Sequence, residues 1–322
     1  MVGNKGMSES LKLSRRRFIR NAALGSAFVA GGWPLRASWA LPRSNAGSLR
    51  FVYFTDVHAR TEWGTPDALA MAAESINNQK ADLVICGGDM ITDGYQSSHE
   101  VVAPRWKVYL EMHKAIHPTP ICAIGNHDLV GVEPGDGSAP SDDPRNDVRS
   151  HLGLEQTYRS FDFNGYHFII LDGIQVTRDP YKYHGRIDDA QITWLTNDLQ
   201  SVDPESPIIL VSHMPLLTSF FQAVDGVNAQ VPPNRGLVNN REVLELFAGR
   251  RLPLVLQGHL HVNEMIRWKD TTFITGGAVC GKWWRGEWHG TSEGFGVIEL
   301  HDNRVDWQYM TYGWNARRPP GM

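Results

Sequence analysis

Short apolar runs, each ending in a polar cluster, recur between residues 49 and 261. They are rich in Val, Ile and Leu: LRFVYFTDVH (49–58), DLVICGGDM (82–90), PICAIGNHD (120–128), YHFIILDG (166–173), PIILVSHMP (207–215) and LPLVLQGHLH (252–261). Runs of this length, closed by Gly, Asp or His, are typical of buried β-strands. The chain is therefore predicted to build its core from short strands that each end in polar residues.

Helical stretches separate several of these runs, at 66–79, 101–116, 188–201 and 240–249. The alternation predicts an α/β sandwich in one large domain, and 322 residues with 42% hydrophobic content suffice for its core. After residue 270 the runs indicate strands without helices, and Asp302-Asn303 is predicted to form a tight turn.

The first 40 residues have the pattern of an export signal. SRRRFIR (14–20) precedes an apolar stretch of 13 residues, and the small residues Ser38 and Ala40 indicate cleavage after Ala40. A membrane span needs roughly 20 residues, so no stable span is expected in the mature form. The pattern resembles a twin-arginine signal, which implies the twin-arginine export machinery as a partner and a periplasmic or extracellular location in a bacterium. An uncleaved signal anchor and an ordinary basic tail are the alternatives.

Charge and cysteine content exclude some functions. Residues 1–40 hold seven basic residues and one acidic residue, so their removal changes the formal net charge from −4 to −10. Such an acidic chain is not expected to bind a nucleic-acid polymer, although a local cation can still hold a small phosphorylated substrate. Cys86, Cys122 and Cys280 show no CxxC spacing, so a cysteine-based zinc site is not predicted.

Polar residues that suit metal ions follow most of the predicted strands. Ligand sites in open α/β folds gather at the carboxyl ends of strands, and imidazole, carboxylate and amide donors suit Zn, Mn or Fe. His259 and His261 are two residues apart, so in an extended chain both rings are expected to point at one place. The donors exceed the needs of one tetrahedral metal, whereas two metals sharing a carboxylate would use them all: Asp56, His58, Asp89, Asn126, His127, Asp128, His213, His259 and His261.

Each motif also has a purely structural interpretation. Asp56-x-His58 is compatible with a capped turn, and GGD with a turn that caps a helix. GNHD is compatible with a tight turn, and SHMP with a hydrogen-bonded histidine before a loop. Their combination at successive strand ends favours a metal site over these alternatives.

The same motifs resemble those of the calcineurin-like metallophosphoesterases. The resemblance covers about residues 49–265 and rests on Asp56-x-His58, Gly88-Asp89, Gly125-Asn126-His127-Asp128, His213 and Gly258-His259-x-His261. It implies a four-layer α/β sandwich, in which two mixed β-sheets pack face to face and helices flank them, within one catalytic domain at 41–322. The terminal strands at 270–312 are expected to complete the second sheet.

The resemblance also implies roles for the matched residues. Asp56, His58 and His261 would bind one metal, and Asn126, His213 and His259 a second. Asp89 would bridge them, and a bridging hydroxide would attack phosphorus. His127 would protonate the leaving oxygen or stabilise the phosphoryl oxygens, with Asp128 holding its ring. The ligand types leave Mn, Fe and Zn open.

These features predict an exported, metal-dependent phosphodiesterase. A phosphomonoesterase with the same site is one alternative, and a non-catalytic metal-binding scaffold is another. Purple acid phosphatases carry a tyrosine at the position of Thr92 and lack the histidine found here as His58, so an iron–tyrosinate centre is not expected. A scaffold would be expected to lose His127 or some ligands, and this chain keeps them all.

The segment GGAVCGKWWRGEWHG (276–290) is predicted to border the metals. Trp283 and Trp284 are candidates for stacking on a base or an apolar group, and Arg285 for binding a phosphate or carboxylate. The alternative is that the tryptophans cap the core of the sandwich.

Overall fold

The apolar runs form the central strands of two mixed β-sheets, which confirms the predicted fold class. The computed structural model describes residues 47–301 and 304–317. The first sheet has the order β13-β12-β1-β2-β3, and its strands are β1 (Leu49–Phe54), β2 (Leu83–Cys86), β3 (Ile121–Cys122), β12 (Gly294–His301) and β13 (Arg304–Thr311). Strands β1, β2 and β3 run parallel, and β12 is antiparallel to β1.

The second sheet has the order β10-β11-β9-β8-β5-β4. Its strands are β4 (Arg159–Phe163), β5 (Tyr166–Leu171), β8 (Pro207–Ser212), β9 (Arg251–Gln257), β10 (Asn263–Trp268) and β11 (Thr271–Gly276). Strands β5, β8, β9 and β11 are parallel, and the edge strands β4 and β10 are antiparallel to their neighbours. A separate hairpin consists of β6 (Ile174–Val176) and β7 (Tyr183–Gly185).

Helices lie between the strands along the chain. They are α1 (Thr65–Asn77), α2 (His99–Ala115), α3 (Asn146–Leu152), α4 (Asp189–Ser201), α5 (Phe220–Asp225) and α6 (Asn240–Glu245). Four of them fall on the predicted helical stretches. Within the described residues, no helix has the length and apolar character that a membrane crossing requires.

Alternation along the buried strands creates two separate apolar layers. On β1, Phe51 and Tyr53 belong to the cluster between the two sheets, while Val52 and Phe54 belong to the cluster that includes the helices. The rings of Phe51 and Phe168 meet edge to face across the sheets, with centroids 6.0 Å apart. Each sheet is therefore covered on both sides, as its continuous apolar strands require.

The terminal strands correct one expectation. Strand β11 joins the second sheet, but β12 and β13 join the first, where β12 pairs with β1 from Leu49↔Leu300 to Tyr53↔Gly296. The edge of β1 opposite β2 would otherwise have unpaired backbone groups, and β12 satisfies them. The apolar pattern of a strand near the C-terminus does not specify which sheet that strand joins. The predicted signal at 1–40 and the predicted turn at Asp302-Asn303 lie outside the described residues.

Candidate metal centre

The carboxyl ends of five strands bring all seven predicted metal ligands to one place. Asp56 and His58 follow β1, Asp89 follows β2, and Asn126 lies in the turn after β3. His213 directly follows β8, and the segment after β9 supplies the remaining two, His259 and His261. Every one of the seven is buried. The first sheet thus supplies four of these side chains and the second sheet three.

The side chains divide into two groups. In the first donor group (Asp56, His58 and His261), His261 Nε2 lies 3.1 Å from His58 Nε2 and 3.2 Å from Asp56 Oδ1. In the second donor group (Asn126, His213 and His259), the ligand atoms of the two imidazoles lie close enough to those of Asp89 to hold one metal ion together. Asp89 Oδ2 lies 3.5 Å from His58 Nε2 and 3.2 Å from His213 Nε2, so this carboxylate faces both groups.

Three of the imidazoles are oriented by backbone carbonyls. The ring of His213 donates from Nδ1 to Gly87 O (2.9 Å), and that of His261 from Nδ1 to Gly281 O (2.6 Å). His259 donates from Nε2 to Asn234 O at 2.9 Å. Such a bond on one ring nitrogen fixes the proton there and leaves the other nitrogen as an acceptor, the arrangement typical of metal-binding histidines.

Buried polar atoms without partners support the fit of these residues to metal ions. Asn126 Oδ1 and His213 Nε2 have no hydrogen-bond partner among residues 47–301 and 304–317. Leaving such atoms unsatisfied costs about 1–3 kcal/mol each. The amide oxygen of Asn126 is an acceptor. Burial lowers the pKa of His213, but Asp89 outweighs it and raises the pKa to about 9, so His213 Nε2 becomes an acceptor when a cation displaces its proton. A cation would therefore satisfy both atoms. The donor set of imidazole, carboxylate and amide oxygen suits Mn, Fe or Zn.

The backbone around the site is strained. Five of the predicted ligands adopt positive φ: Asp56 (54°), His58 (46°), Asp89 (52°), His259 (71°) and His261 (58°). Residues other than glycine rarely adopt this region, and such strain clusters at functional sites. The expectation of an extended chain at His259 and His261 is therefore wrong. Their rings diverge, one into each donor group, which is the division that the resemblance implied.

The carboxylates of Asp56 and Asp89 are ionised near neutral pH. Burial raises the pKa of Asp56, but His261 and His213 outweigh it and bring the pKa down to about 2. Burial likewise raises the pKa of Asp89, yet His213 and His127 hold it well below its usual range. Both side chains would thus be charged ligands for a cation.

His127 lies beside the first donor group, with its ring centroid 4.8 Å from that of His58. Its Nδ1 accepts a hydrogen bond from the backbone amide of Asp93 at 3.1 Å. This bond favours the neutral ring that carries its proton on Nε2. Burial acts in the same direction and lowers the pKa of His127.

Asp128 does not hold the ring of His127. Its carboxylate accepts hydrogen bonds from the backbone amides of Gly125 (2.8 Å), Met90 (2.7 Å) and Ile91 (3.2 Å). The prediction for Asp128 requires this correction because adjacent side chains in the short 3₁₀ turn at Asn126–Asp128 diverge. Asp128 instead ties the segment after β2 to the turn after β3.

The three predicted substrate contacts have different surroundings. Trp283 lies over the imidazoles and is 36% exposed. Trp284 is only 2% exposed and donates its indole N–H to His58 O at 2.9 Å. Its prediction as a substrate contact is therefore wrong, and the core-capping alternative applies. The Arg285 guanidinium lies 5.9 Å from the centroid of Trp63.

Sequence reasoning missed Arg235. Its charge acts on His259, whose pKa falls well below its usual value through burial, His213 and Arg235. Burial raises the pKa of Tyr183, and Arg235 partly offsets this rise. Arg235 is exposed and directly follows Asn234, whose carbonyl accepts from His259 Nε2 at 2.9 Å, so this cation lies close to the second donor group. Arg235 is 22 residues beyond His213 in a loop without a recognisable motif, so no sequence signal pointed to it.

The fold and the two donor groups define a metallophosphoesterase-type protein. More specifically, the chain belongs to the calcineurin-like phosphoesterase family, whose model matches residues 49–263. The family uses divalent metal ions. No curated protein matches the chain.

Solved structures provide a further comparison. The chain is similar to the Plasmodium protein GAP50, described as the anchor in the inner membrane complex, with 18% identity over 83% of this chain and 85% of that one, and a TM-score of 0.52. It also matches a metallophosphoesterase from Sphaerobacter thermophilus, with 16% identity over 82% and 89% of the two chains and a TM-score of 0.41. At these identities the similarity to GAP50 supports the fold alone.

Proposed function

We propose that this protein hydrolyses a phosphodiester at a centre of two metal ions. The observation that carries the proposal is the position of Asp89, whose Oδ2 lies 3.5 Å from His58 Nε2 and 3.2 Å from His213 Nε2. A carboxylate that faces donors on both sides suits a bridge between two ions. The first donor group would hold one ion and the second donor group the other. Two such ions would clamp the phosphate and lower the pKa of an attacking water.

His127 would act through its Nε2–H. The amide of Asp93 occupies Nδ1, so the neutral ring presents its one proton at the other nitrogen. We propose that Nε2–H donates a hydrogen bond to the leaving oxygen and stabilises the negative charge that builds as the P–O bond breaks. Of the two predicted roles for His127, this geometry supports stabilisation over full proton transfer, because an imidazolium would need a proton on Nδ1.

Preference for a diester rests on the resemblance of the Asp56-x-His58 motif to the phosphodiesterase branch. Thr92 has no phenolate, and its hydroxyl donates to His58 O at 2.7 Å, so an iron–tyrosinate centre is not expected. A monoesterase would use the same residues. Substrate tests are therefore needed to separate the two.

The decisive experiment measures metal content and hydrolysis together. Purified protein should contain about two metal ions per chain, and apoprotein reloaded with Mn, Zn or Fe should hydrolyse bis(4-nitrophenyl) phosphate faster than 4-nitrophenyl phosphate. Cyclic 2′,3′- and 3′,5′-nucleotides extend the diester set. A reversed preference would establish the monoesterase. Loss of metal without loss of hydrolysis would contradict the proposed centre.

A binding scaffold is the second candidate: GAP50, which shares the fold, is described as an anchor in the inner membrane complex of Plasmodium. The retention of His127 and of all seven predicted ligands argues for catalysis. Failure of the metal-loaded protein on every phosphoester would establish the scaffold instead.

We also propose that residues 1–40 direct twin-arginine export, a proposal that rests on the sequence alone. A fusion of this segment to a reporter that is active only after folded export tests it. Replacement of Arg15 and Arg16 by Lys should block export. Continued export of the double variant would contradict the proposal.

A further inference from the structure

Trp283 covers three imidazoles of the candidate centre. The centroid of its indole lies 4.1 Å from that of His58, 4.7 Å from that of His127 and 5.3 Å from that of His261. Its plane is within 25° of the His261 ring. Since 36% of the residue remains exposed, part of the indole faces solvent directly beside the centre.

The turn that carries Trp283 is fixed from several sides. The Trp284 amide donates to Cys280 O, and the Lys282 amide donates to Gly286 O, each at 2.7 Å. The buried ring of Trp284 is anchored to His58 O by its indole N–H. Trp283 and Trp284 both have positive φ, at 55° and 65°. Trp284 points into the core and fixes the turn, while Trp283 is presented over the site.

The neighbours of Trp283 indicate which part of a substrate it meets. The indole contacts His127 and the two imidazoles of the first donor group, whereas no ring contact joins it to His213 or His259 among the described residues. Under the proposed function, His127 serves the leaving oxygen. A group attached to that oxygen would therefore emerge beside the indole.

We propose that Trp283 is a stacking wall for the leaving group, so that the preferred substrates are phosphoesters whose leaving group carries a planar aromatic ring. The inference rests on the proposed function and names the substrate class of the same site. A rigid indole loses little conformational freedom when a ring stacks on it, and such contacts are worth enough to change kcat/KM by roughly tenfold. If Trp283 only shielded the imidazoles from water, its loss would affect aromatic and aliphatic esters alike.

The test uses two diesters that differ only in the leaving group, methyl 4-nitrophenyl phosphate and methyl trifluoroethyl phosphate. The ratio of kcat/KM for the aryl ester to that for the alkyl ester is measured for each protein. Because the ratio is compared between enzymes, the intrinsic reactivity of each ester cancels. In Trp283→Leu the ratio should fall about tenfold, and in Trp283→Phe it should stay within about threefold of wild type. An unchanged ratio in Trp283→Leu overturns the inference.

Trp268→Leu is the matched control, because Trp268 is 63% exposed at the far end of β10 from His261. Its ratio should equal that of wild type. Circular dichroism and metal content establish that the Trp283 variants are folded and loaded. If the wild-type protein hydrolyses neither ester, the proposed function fails. If it hydrolyses both and only the ratio test fails, the stacking wall alone is wrong.

A binding measurement tests the same contact without turnover. Phenylphosphonate and methylphosphonate cannot be hydrolysed, and calorimetry gives their affinities for the metal-loaded protein. Wild type and Trp283→Phe should bind the phenyl compound about five- to tenfold more tightly than the methyl compound, and Trp283→Leu should lose this difference. Equal affinities in the wild-type protein overturn the inference.

Discussion

At the scale of single residues, the site depends on individual hydrogen bonds, each of which determines which nitrogen of an imidazole ring carries the proton. The carbonyls of Gly87, Asn234 and Gly281 each accept from an imidazole, and the amide of Asp93 donates to His127. These partners lie far from the histidines in sequence. The motifs therefore predicted the candidate ligands, but not the atoms that orient them.

Replacement of His127 should separate catalysis from metal binding. His127→Ala should lower kcat by about 10²–10³-fold with unchanged metal content, because one donor to developing charge is lost. His127→Gln keeps an N–H donor of similar reach and should recover part of the activity. Steady-state kinetics and metal analysis on the same preparations measure both effects, with the exposed His301→Ala as control. Equal activities of the Ala and Gln variants would contradict the hydrogen-bond role.

Loss of either histidine after β9 should empty a different half of the centre. His261 lies against Asp56 and His58, whereas His259 clusters with Asp89 and His213. Each Ala variant should therefore retain about one metal ion instead of about two. With Mn²⁺, the ion remaining in each variant should give a different electron paramagnetic resonance spectrum. Identical spectra and affinities would show that the two rings share one ion.

At the scale of elements, the ends of β1 and β9 approach so closely that position 258 has no space for a side chain. A Cβ at Gly258 would meet Thr55 Oγ1 and lie 2.8 Å from Asp56 Oδ2. Gly258→Ala should separate the ends of β1 and β9, weaken metal binding at least tenfold and destabilise the fold by about 1–3 kcal/mol. Urea unfolding and metal titration measure the two effects. Gly135→Ala is the control, since its Cβ would meet only Gln96 O at 3.8 Å. Wild-type behaviour of Gly258→Ala would refute this account of the contact.

The arrangement of the elements was only partly predictable from the sequence. Apolar runs predicted the strands, and the polar residues after those runs predicted the candidate ligands, because both signals are local. The pairing of β12 with β1 and the backbone partners of Asp128 were not predicted, and the burial of Trp284 was only an alternative. Each joins segments that are distant in sequence, or depends on a turn that directs adjacent side chains in different directions.

At the scale of the whole molecule, the centre connects the two sheets. Asp56, Asp89 and Asn126 extend from the first sheet, and His213 and His259 from the second. Ions held between them would bind the folded state and not the unfolded chain. Metal binding should therefore stabilise the entire sandwich as well as the site.

Chelation should thus lower the melting temperature in a single cooperative transition. With free metal at 1,000 times its Kd, binding stabilises the fold by about 4 kcal/mol, which corresponds to a shift of roughly 8–16 °C for a domain of this size. Calorimetry of the protein with and without a chelator measures the shift. Asp89→Ala is the matched control, because without the shared carboxylate its melting temperature should respond little to the chelator. Equal melting temperatures for wild type with and without chelator would mean that the sheets are held together by the apolar layer around Phe51 and Phe168 alone, and that the centre contributes nothing to stability.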